Sequence, residues 1–341
     1  MGDRSTVHIV VNPVAGRIVG GPGSPGGRAV AVLCRRIQQA GLKVSLTETR
    51  RRGDALAVAA KCCEQGAHSL VVVGGDGTVN EVVSGLTTGR VPILVVPSGT
   101  ENILAKYLGI RLDGDLLWRI MVSGRTVGLD IAELVSSAGA GADEASSPSR
   151  RPFLLVGGVG FDARIAHDVG RRRQELMHLN GGHISYWTYF GPGLRALWQY
   201  HPPLLSVEVD GRRFYRGPAQ VLVGNVPRYA MGLRPAYRAR PDDGLLDVCI
   251  FELRRRVSVL RHLANLLLRR HMKTTGVHYS QGRHIRVFAE TGSVPVQVDG
   301  DAAGWLPAEF AVTGRQVRFL VPEGFRMETG VTEGDDLRAK R

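Results

Sequence analysis

The fold is decided by the stretch Val71-Val72-Val73-Gly74-Gly75-Asp76-Gly77-Thr78-Val79-Asn80-Glu81. Its apolar run is typical of a buried strand, and it ends in three glycines around an aspartate before a predicted helix. Glycine permits positive φ angles and lets a ligand approach the backbone closely. A helix N-terminus adds unpaired N–H groups and the positive end of its dipole, which suit phosphate. The stretch therefore predicts a phosphate-binding turn between a strand and a helix.

Asp76 carries a negative charge into this turn, where it would repel phosphate unless a cation lay between them. Mg²⁺ prefers oxygen ligands, so the turn implies a magnesium–nucleotide site. The alternative is a tight strand-to-helix turn in which Asp76 caps the helix. The dinucleotide-binding fingerprint is excluded, because Gly75-x-Gly77 has no third glycine at position 80.

The chain around this stretch alternates strands and helices, which predicts a parallel sheet covered on both faces. The predicted strands are 7–11, 44–49, 69–73 and 92–96, and the predicted helices are 28–40, 53–65, 78–86 and 103–108.

Beyond residue 130 the pattern changes to short strands with turn signals, which indicates a β-sandwich or barrel. We predict an α/β nucleotide-binding domain over 1–130 and a β-sandwich domain over 131–330, with a mobile loop at 136–151 and a flexible tail at 331–341. The predicted strands of the second domain are 152–159, 204–209, 212–215, 219–223, 245–251, 284–288, 294–298 and 316–321, interrupted by helices at 162–200 and 257–270.

The composition excludes several classes of protein. The 341 residues include only five lysines, none of which follows a glycine, so there is no P-loop. Four cysteines are too few and wrongly spaced for a disulfide framework or a zinc ribbon, and no apolar run is long enough to predict a transmembrane helix. The N-terminus leads into a strand, which argues against a signal peptide. We therefore expect a cytoplasmic protein.

The formal net charge of +13 suits either nucleic acid or an anionic membrane surface. Nucleic acid is the weaker interpretation, because aromatic residues make up only 6% of the chain and no stacking platform is found. Two basic stretches lie beside apolar residues, as suits a membrane interface. They are Arg171–Arg173 before the aromatics of 186–198, and Arg254–Arg256 before the helix at 257–270. Core packing with a solvated basic face is the alternative for both.

Several shorter stretches indicate a functional site only when they are taken together. Thr100 and Asn102 follow the strand 92–96, and Thr100 could donate to phosphate while Asn102 holds the turn. Acidic residues at 240–247 and 298–301 could ligate a hard cation or supply a general base. Each stretch alone is also explained as an ordinary turn or a capped helix.

Together these stretches resemble the diacylglycerol kinase catalytic-domain family, the bacterial lipid kinases related to sphingosine and ceramide kinases. The motifs, in family order over roughly residues 5–325, are Asn12-Pro13-x-x-Gly16, Gly74-Gly75-Asp76-Gly77-Thr78-x-Asn80-Glu81, Pro97-x-Gly99-Thr100-x-Asn102, Gly158-x-Gly160-Phe161-Asp162-Ala163, Gly224-Asn225, Asp242-Asp243-Gly244-Leu245-Leu246-Asp247 and Asp299-Gly300. The resemblance implies an α/β nucleotide domain, a following β-sandwich domain, and an active site between them.

The resemblance also implies an ATP- and Mg²⁺-dependent phosphoryl transfer to the hydroxyl of a membrane lipid, of diacylglycerol or sphingoid type. Asp76, with Asp130 nearby, would belong to the Mg²⁺–phosphate network, and Asp299 or Asp301 would accept the proton. Asp243 would hold a second, structural Mg²⁺ with the carbonyls of Arg240 and Leu245. The implied nucleotide-binding residues are Asn12, Pro13, Gly16, Thr49, Gly74, Gly75, Asp76, Gly77, Thr78, Asn80, Glu81, Thr100 and Asn102.

Four departures from the family pattern stand out. Ala15 replaces a serine, Glu101 places a carboxylate beside the nucleotide turn, Asp301 replaces a longer glutamate, and Met231 replaces a glycine. The expected partners are a lipid substrate and the inner face of an anionic membrane, with a homodimer left open. Two other functions are a soluble kinase similar to NAD kinase and a non-catalytic nucleotide-binding protein on the same fold.

Overall fold

The computed structural model describes residues 6–16, 23–137, 149–180, 201–255 and 257–328, without the side chains of 172–180. These residues divide into two compact units. The first consists of Met1–Leu129 and Arg315–Met327, and the second of Asp130–Gly314 and Glu328–Arg341. The predicted tail at 331–341 and most of the predicted loop lie outside the described residues.

The first unit is built on a parallel sheet. Its strands are β1 (Thr6–Val11), β2 (Lys43–Glu48), β3 (Ser69–Gly74) and β4 (Ile93–Pro97), in the order β2-β1-β3-β4. Every residue of β3 and of β4 is buried, as expected of strands covered on both faces.

In the described part of this unit, five α-helices accompany the sheet: α1 (Pro25–Gln39), α2 (Asp54–Gln65), α3 (Asp76–Gly85), α4 (Ile103–Tyr107) and α5 (Gly114–Ser123). The side chain of Ser24 accepts a hydrogen bond from the N–H of Gly27 and caps α1. Helix α5 is absent from the predicted helices. It buries Leu117, Ile120 and Met121, and Asp113 caps it through the N–H of Leu116.

The register brings the strand ends to one edge of the sheet. Val11 pairs with Val73 and with Glu48, and Gly74 pairs with Pro97. The turns that follow β1, β2, β3 and β4 therefore leave the sheet at the same edge, where ligands bind in open α/β sheets.

The strands of the second unit are mostly paired antiparallel. They are β6 (Ser149–Phe153), β7 (Val156–Val159), β8 (Leu204–Val209), β9 (Arg212–Gly224), β10 (Leu246–Glu252), β11 (Val277–Gly282), β12 (His284–Ala289) and β13 (Pro295–Val298), together with most of β5 (Thr126–Ser137) and of β14 (Asp301–Leu320). Its α-helices within the described residues are α6 (Phe161–Asn180) and α7 (Val257–Leu267).

The core of this unit lies among the apolar side chains of these strands. The fully buried rings of Phe153 and Phe310 meet edge to face, with centroids 6.1 Å apart. Burying an aromatic side chain of this size contributes about 2–3 kcal/mol, so each ring is one of the larger single contributions to this core.

Several elements differ from the sequence prediction. The strands β5 and β11 were not predicted, and β9 is one strand where two were expected. The predicted loop at 136–151 is shorter than expected, because Ser136 pairs with Ser149 in the ladder between β5 and β6. The predicted helix at 162–200 is described only as far as Asn180.

The largest difference concerns the end of β14. The sequence assigns 131–330 to the second domain, whereas Arg315–Met327 belong to the first unit. The physical reason is that Phe319 pairs in parallel with Ile93 of β4 and is fully buried there. No helix among the described residues is both long and apolar enough to cross a bilayer.

Candidate active site

Two glycine turns of the first unit meet backbone to backbone. A Cβ atom added to Gly99 would lie 2.6 Å from the Cα of Gly75, and one added to Gly74 would lie 2.5 Å from the Cβ of Thr78. A side chain at Gly99 would therefore force the turns after β3 and β4 apart, and one at Gly74 would displace Thr78 within its own turn. Gly77 differs, since a Cβ there would meet nothing within 4 Å and the residue is exposed.

Asp76 links the same two turns. Its Oδ2 accepts from the N–H of Ile103 at 2.9 Å, and its Oδ1 accepts from the N–H of Leu104 at 3.0 Å. Asp76 thus caps α4, whose own N-cap residue makes no side-chain capping bond. Burial raises the pKa of the Asp76 carboxyl, and these two N–H bonds oppose the rise. The capping alternative is partly correct, but the helix that is capped is the next one.

Asn102 closes the turn after β4. Its Oδ1 accepts from the N–H of Gly99 at 2.9 Å, and its Nδ2 donates to the carbonyl of Gly99 at 2.7 Å. The residue has a φ of +51°, in the left-handed region that asparagine tolerates better than most residues. Thr100 lies exposed in the same turn.

The turn after β1 is joined to α3. Asn12 donates through Nδ2 to Oγ1 of Thr78 at 3.0 Å, and its Oδ1 accepts from the N–H of Val14 at 3.2 Å. Pro13 and Gly16 lie in this turn, which the N–H of Ala15 closes by donating to the carbonyl of Asn12.

Glu81 and Thr49 contact the protein itself. Oε1 of Glu81 accepts from the N–H groups of Gly53 at 2.5 Å and Ala55 at 3.1 Å, at the start of α2. Thr49 donates from Oγ1 to the carbonyl of Val11 at 3.4 Å. Asn80, in contrast, has a buried Oδ1 with no hydrogen-bond partner among the described residues. Asn80 thus carries a buried acceptor that none of the described residues satisfies.

An acidic turn occupies the second unit between β9 and β10. Oδ2 of Asp130 accepts from the N–H of Gly244 at 2.8 Å, and Oδ1 of Asp243 accepts from the N–H of Leu245 at 3.0 Å. Asp242 pairs with the guanidinium of Arg240 at 3.2 Å. Burial raises the pKa of Asp243, and the neighbouring carboxylates of Asp242 and Asp130 add to the rise. The structure thus places Asp130, which the resemblance assigned to the network of Asp76, beside the turn of Asp243.

This turn fits a hard cation by donor type. Asp130 and Asp243 supply carboxylate oxygens, the type of donor that suits Mg²⁺. No group of three or more His, Cys, Asp or Glu side chains is arranged to hold a metal ion in the described part of the chain. A magnesium ion here would therefore take most of its ligands from carbonyl groups and water.

The two candidate bases have different surroundings. The carboxylate of Asp299 accepts from the N–H groups of Leu154, Leu155 and Val156, each at 3.0 Å. These bonds explain why the predicted strand 152–159 is split into β6 and β7, because the N–H groups at the break donate to Asp299 and not to a neighbouring strand. Asp301 begins β14 and is solvent-exposed. Asp301 is thus the more exposed of the two carboxylates.

Sequence reasoning gave Asp162 no role, although it lies at the centre of a buried polar network. Its carboxylate accepts from Nε2 of Gln297 and from the hydroxyl of Tyr229, each at 3.0 Å, and from Nε2 of Gln220. A Cβ on Gly158 would lie 2.0 Å from Oδ2 of Asp162, which explains the glycine of that motif. Burial raises the pKa of Asp162. In the sequence, only the motif that contains Gly158 and Asp162 pointed to a role for Asp162.

The network continues to the candidate base. Oε1 of Gln297 accepts from the N–H of Gly300 at 2.9 Å, so Gln297 joins Asp162 to the turn between β13 and β14. The backbone of this turn has positive φ angles, +50° at Asp299 and +86° at Gly300. Asp162 and Gln297 together fix the backbone that carries Asp301.

A parallel α/β unit with glycine turns at one sheet edge, followed by a unit of antiparallel strands, is the fold of diacylglycerol kinase and NAD kinase-like proteins. Residues 156–321 match the YegS C-terminal NAD kinase beta sandwich-like domain, and residues 6–134 match the diacylglycerol kinase catalytic domain. The protein is a kinase, an enzyme that transfers a phosphoryl group. It belongs to the diacylglycerol kinase catalytic-domain family.

Relatives match along nearly the whole chain. A diacylglycerol kinase of Staphylococcus saprophyticus is 24% identical over 95% of this chain and 98% of its own length. A diacylglycerol kinase of Bacillus subtilis is 24% identical over 93% of this chain and 96% of its own. A crystal structure of a diacylglycerol kinase from Bacillus anthracis superposes with a TM-score of 0.63 at 16% identity, covering 95% of this chain and 99% of that one.

Proposed function

We propose that this kinase transfers the γ-phosphoryl group of ATP, with Mg²⁺, to a hydroxyl group of a membrane lipid of diacylglycerol or sphingoid type. The observation that carries the proposal is the junction of the turns after β1, β3 and β4, where Asn12, Gly75 and Gly99 surround the N-terminus of α3. The relatives named diacylglycerol kinase support a lipid as the acceptor.

The nucleotide would bind along the turns of the first unit. The N-terminus of α3 offers N–H groups to phosphate, and the exposed Gly77 leaves space for it. Asn80, whose buried Oδ1 has no partner among the described residues, lies one turn into α3 behind this N-terminus. Pro13, Gly16 and Thr100 border the same sheet edge, while Thr49, Glu81 and Asn102 hold the surrounding backbone.

Two sets of residues would hold Mg²⁺. Asp76 would contribute to the ion on the phosphates, because each carboxylate oxygen that accepts one N–H keeps a second lone pair. Asp243, the carbonyls of Arg240 and Leu245, and the nearby Asp130 would hold the structural ion. When bound, Mg²⁺ neutralises the charge that develops on the phosphoryl oxygens.

Asp301 is the proposed general base. Its exposed carboxylate can take a proton from the lipid hydroxyl, whereas the carboxylate of Asp299 is less exposed and is held by three backbone N–H bonds. An ordinary aspartate is a weak base at neutral pH, so the proton leaves the hydroxyl late in the transfer. Asp299 is assigned as the positioning residue that fixes the turn.

The membrane site of the reaction follows from the acceptor. A lipid hydroxyl is reached at a bilayer surface, and ATP is supplied from the cytoplasm. We therefore place the enzyme at the inner face of the membrane as a peripheral protein. The four cysteines, all unpaired thiols, are compatible with a reducing compartment.

The experiment is a transfer of radiolabel from [γ-³²P]ATP to a panel of acceptors with and without Mg²⁺. The panel contains diacylglycerol, a sphingoid base, ceramide and, as a soluble acceptor, NAD. We expect label in a lipid fraction only when Mg²⁺ is present. Label confined to NAD would support the soluble-kinase alternative, and no transfer to any acceptor would support a non-catalytic protein.

A further inference from the structure

Helix α7 turns its apolar side chains outward. Val257, Leu260, Leu263 and Leu267 are 62, 51, 41 and 57% exposed. The opposite face of the helix, formed by Ser258, His262 and Leu266, is the one that is buried. The core-packing interpretation of this helix is therefore wrong for its leucine stripe. Such a stripe needs a partner, because exposed contiguous apolar surface marks an interaction site.

The residues around this stripe are strongly basic. Between Leu253 and Gly276 the chain has six arginines, one lysine and no acidic residue. Arg255, Arg261, Arg269, Arg270 and Lys273 are all exposed. Leu268, which follows the helix, adds a side chain that is 64% exposed. The leucine stripe is thus bordered by positive charge at both ends.

This combination selects the chemistry of the partner. Positive charge alone would suit any polyanion, but nucleic acid offers no apolar layer to a row of leucines. A protein groove would bury the leucines but would not call for so large an excess of positive charge, of which only Arg254 is paired, with Glu252, among the ion pairs of the described residues. An anionic bilayer satisfies both, with phosphate headgroups for the arginines and acyl chains for the leucines.

We propose that α7 is the membrane-docking element of this protein, lying in the plane of an anionic leaflet with Leu260, Leu263 and Leu267 below the headgroups. The inference rests on the surface of the second unit and stands whether or not the proposed reaction is correct. Its test measures binding to vesicles and needs neither ATP nor an acceptor lipid.

The experiment is sedimentation of the full chain with phosphatidylcholine vesicles, with or without phosphatidylglycerol. We expect binding to vesicles that contain phosphatidylglycerol, weakened by high salt. Leu260→Asn with Leu267→Asn is expected to lower the partition coefficient by about tenfold or more, because the variant no longer buries the exposed halves of two leucine side chains among the acyl chains. Arg270→Gln with Lys273→Gln is expected to lower it by about fivefold per charge.

The matched controls make the same kinds of substitution on helices α1 and α5, away from α7. Val122→Asn removes an equally exposed apolar side chain from α5, and Arg35→Gln with Arg119→Gln removes two exposed charges from α1 and α5. These variants are expected to bind as the unchanged protein does. The proposal would be overturned if the charge variant lost vesicle binding while the leucine variant kept it. It would also be overturned if the unchanged protein did not bind anionic vesicles.

Two other occupants of the stripe give distinct results. If residues 181–200 or a second copy of the chain covered α7, Leu260→Asn with Leu267→Asn would lower the melting temperature or dissociate a dimer and leave vesicle binding unchanged. Thermal melts and light scattering of the same variants measure both. Either result, without a loss of vesicle binding, would overturn the proposal.

Discussion

Two acidic residues of the candidate active site, Asp299 and Asp301, have different roles. Asp299 gives both carboxylate oxygens to the N–H groups of Leu154, Leu155 and Val156, whereas Asp301, two residues later, is exposed. Two acidic residues in one short turn thus have different tasks, because their surroundings differ more than their chemistry.

We predict that Asp301→Asn and Asp299→Asn fail in different ways. Asp301→Asn is expected to lower kcat by about 100-fold, the range of general-base catalysis, with little change in melting temperature. Asp299→Asn is expected to lower the unfolding free energy by about 1–3 kcal/mol, because a buried N–H loses its acceptor. Kinetics with the lipid acceptor and thermal melts on both variants measure this. A stable Asp299→Asn with a lost kcat would make Asp299 the base.

Glycine at position 99 is needed for contact between turns, whereas Gly77 is sterically open. We predict that Gly99→Ala destabilises the first unit by about 1–3 kcal/mol, because its Cβ would meet the Cα of Gly75 at 2.6 Å. Gly77→Ala is the matched control and should fold as well as the unchanged chain, since nothing lies within 4 Å. Chemical denaturation of the two variants gives the comparison, and equal stability would contradict the close contact of the turns.

At the scale of elements, α7 is held to the second unit by its polar face. The ring of His262 donates from Nε2 to the carbonyl of Glu252 at 2.9 Å, and its Nδ1 is buried without a partner among the described residues. Burial lowers the pKa of His262, because a proton on Nδ1 would have no acceptor. The docking helix is therefore attached through a neutral histidine.

We predict that acidification destabilises the protein partly through His262. The unfolded chain takes up the proton at a higher pH than the folded one, so stability is present above the unfolded pKa of about 6.5 and is lost as the pH falls below it. Replacing the ring by His262→Gln should reduce the loss of unfolding free energy between about pH 7.5 and pH 5.5. His68→Gln changes an exposed ring and should keep the full loss. An unchanged pH dependence in His262→Gln would exclude the explanation.

At the scale of the whole molecule, the first unit is discontinuous in sequence. Arg315–Met327 belong to it although they follow nearly the entire second unit. Val317, Phe319, Leu320 and Val321 are all buried there, and each contributes about 1.5–3 kcal/mol. Their sum is comparable to the total stability of a domain, which is about 5–15 kcal/mol.

We predict that residues 1–129 do not fold alone, because that fragment lacks this strand. The same fragment joined through a flexible linker to residues 315–327 should show cooperative thermal unfolding. Circular dichroism during heating compares the two. A cooperative transition in the short fragment would show that the returning strand is dispensable.

The sequence alone determined the local features of this protein. The buried strand Ser69–Gly74, the glycine turn and the helix after it follow from apolar patterning, backbone freedom and helix capping within a few residues. The alternation of elements defined the α/β unit, and the motif order identified the family. These are properties of neighbouring residues, and so they can be predicted without knowing what lies opposite.

Only the tertiary structure decided which partner each side chain contacts. Asp76 caps α4 from 27 residues away, Asp299 serves the N–H groups that separate β6 from β7, and Phe319 joins β14 to β4. The leucine stripe of α7 has the same pattern whether it faces a core or solvent. Each outcome depends on a contact between distant segments, and the free energy of such a contact is set by packing and burial in the folded chain.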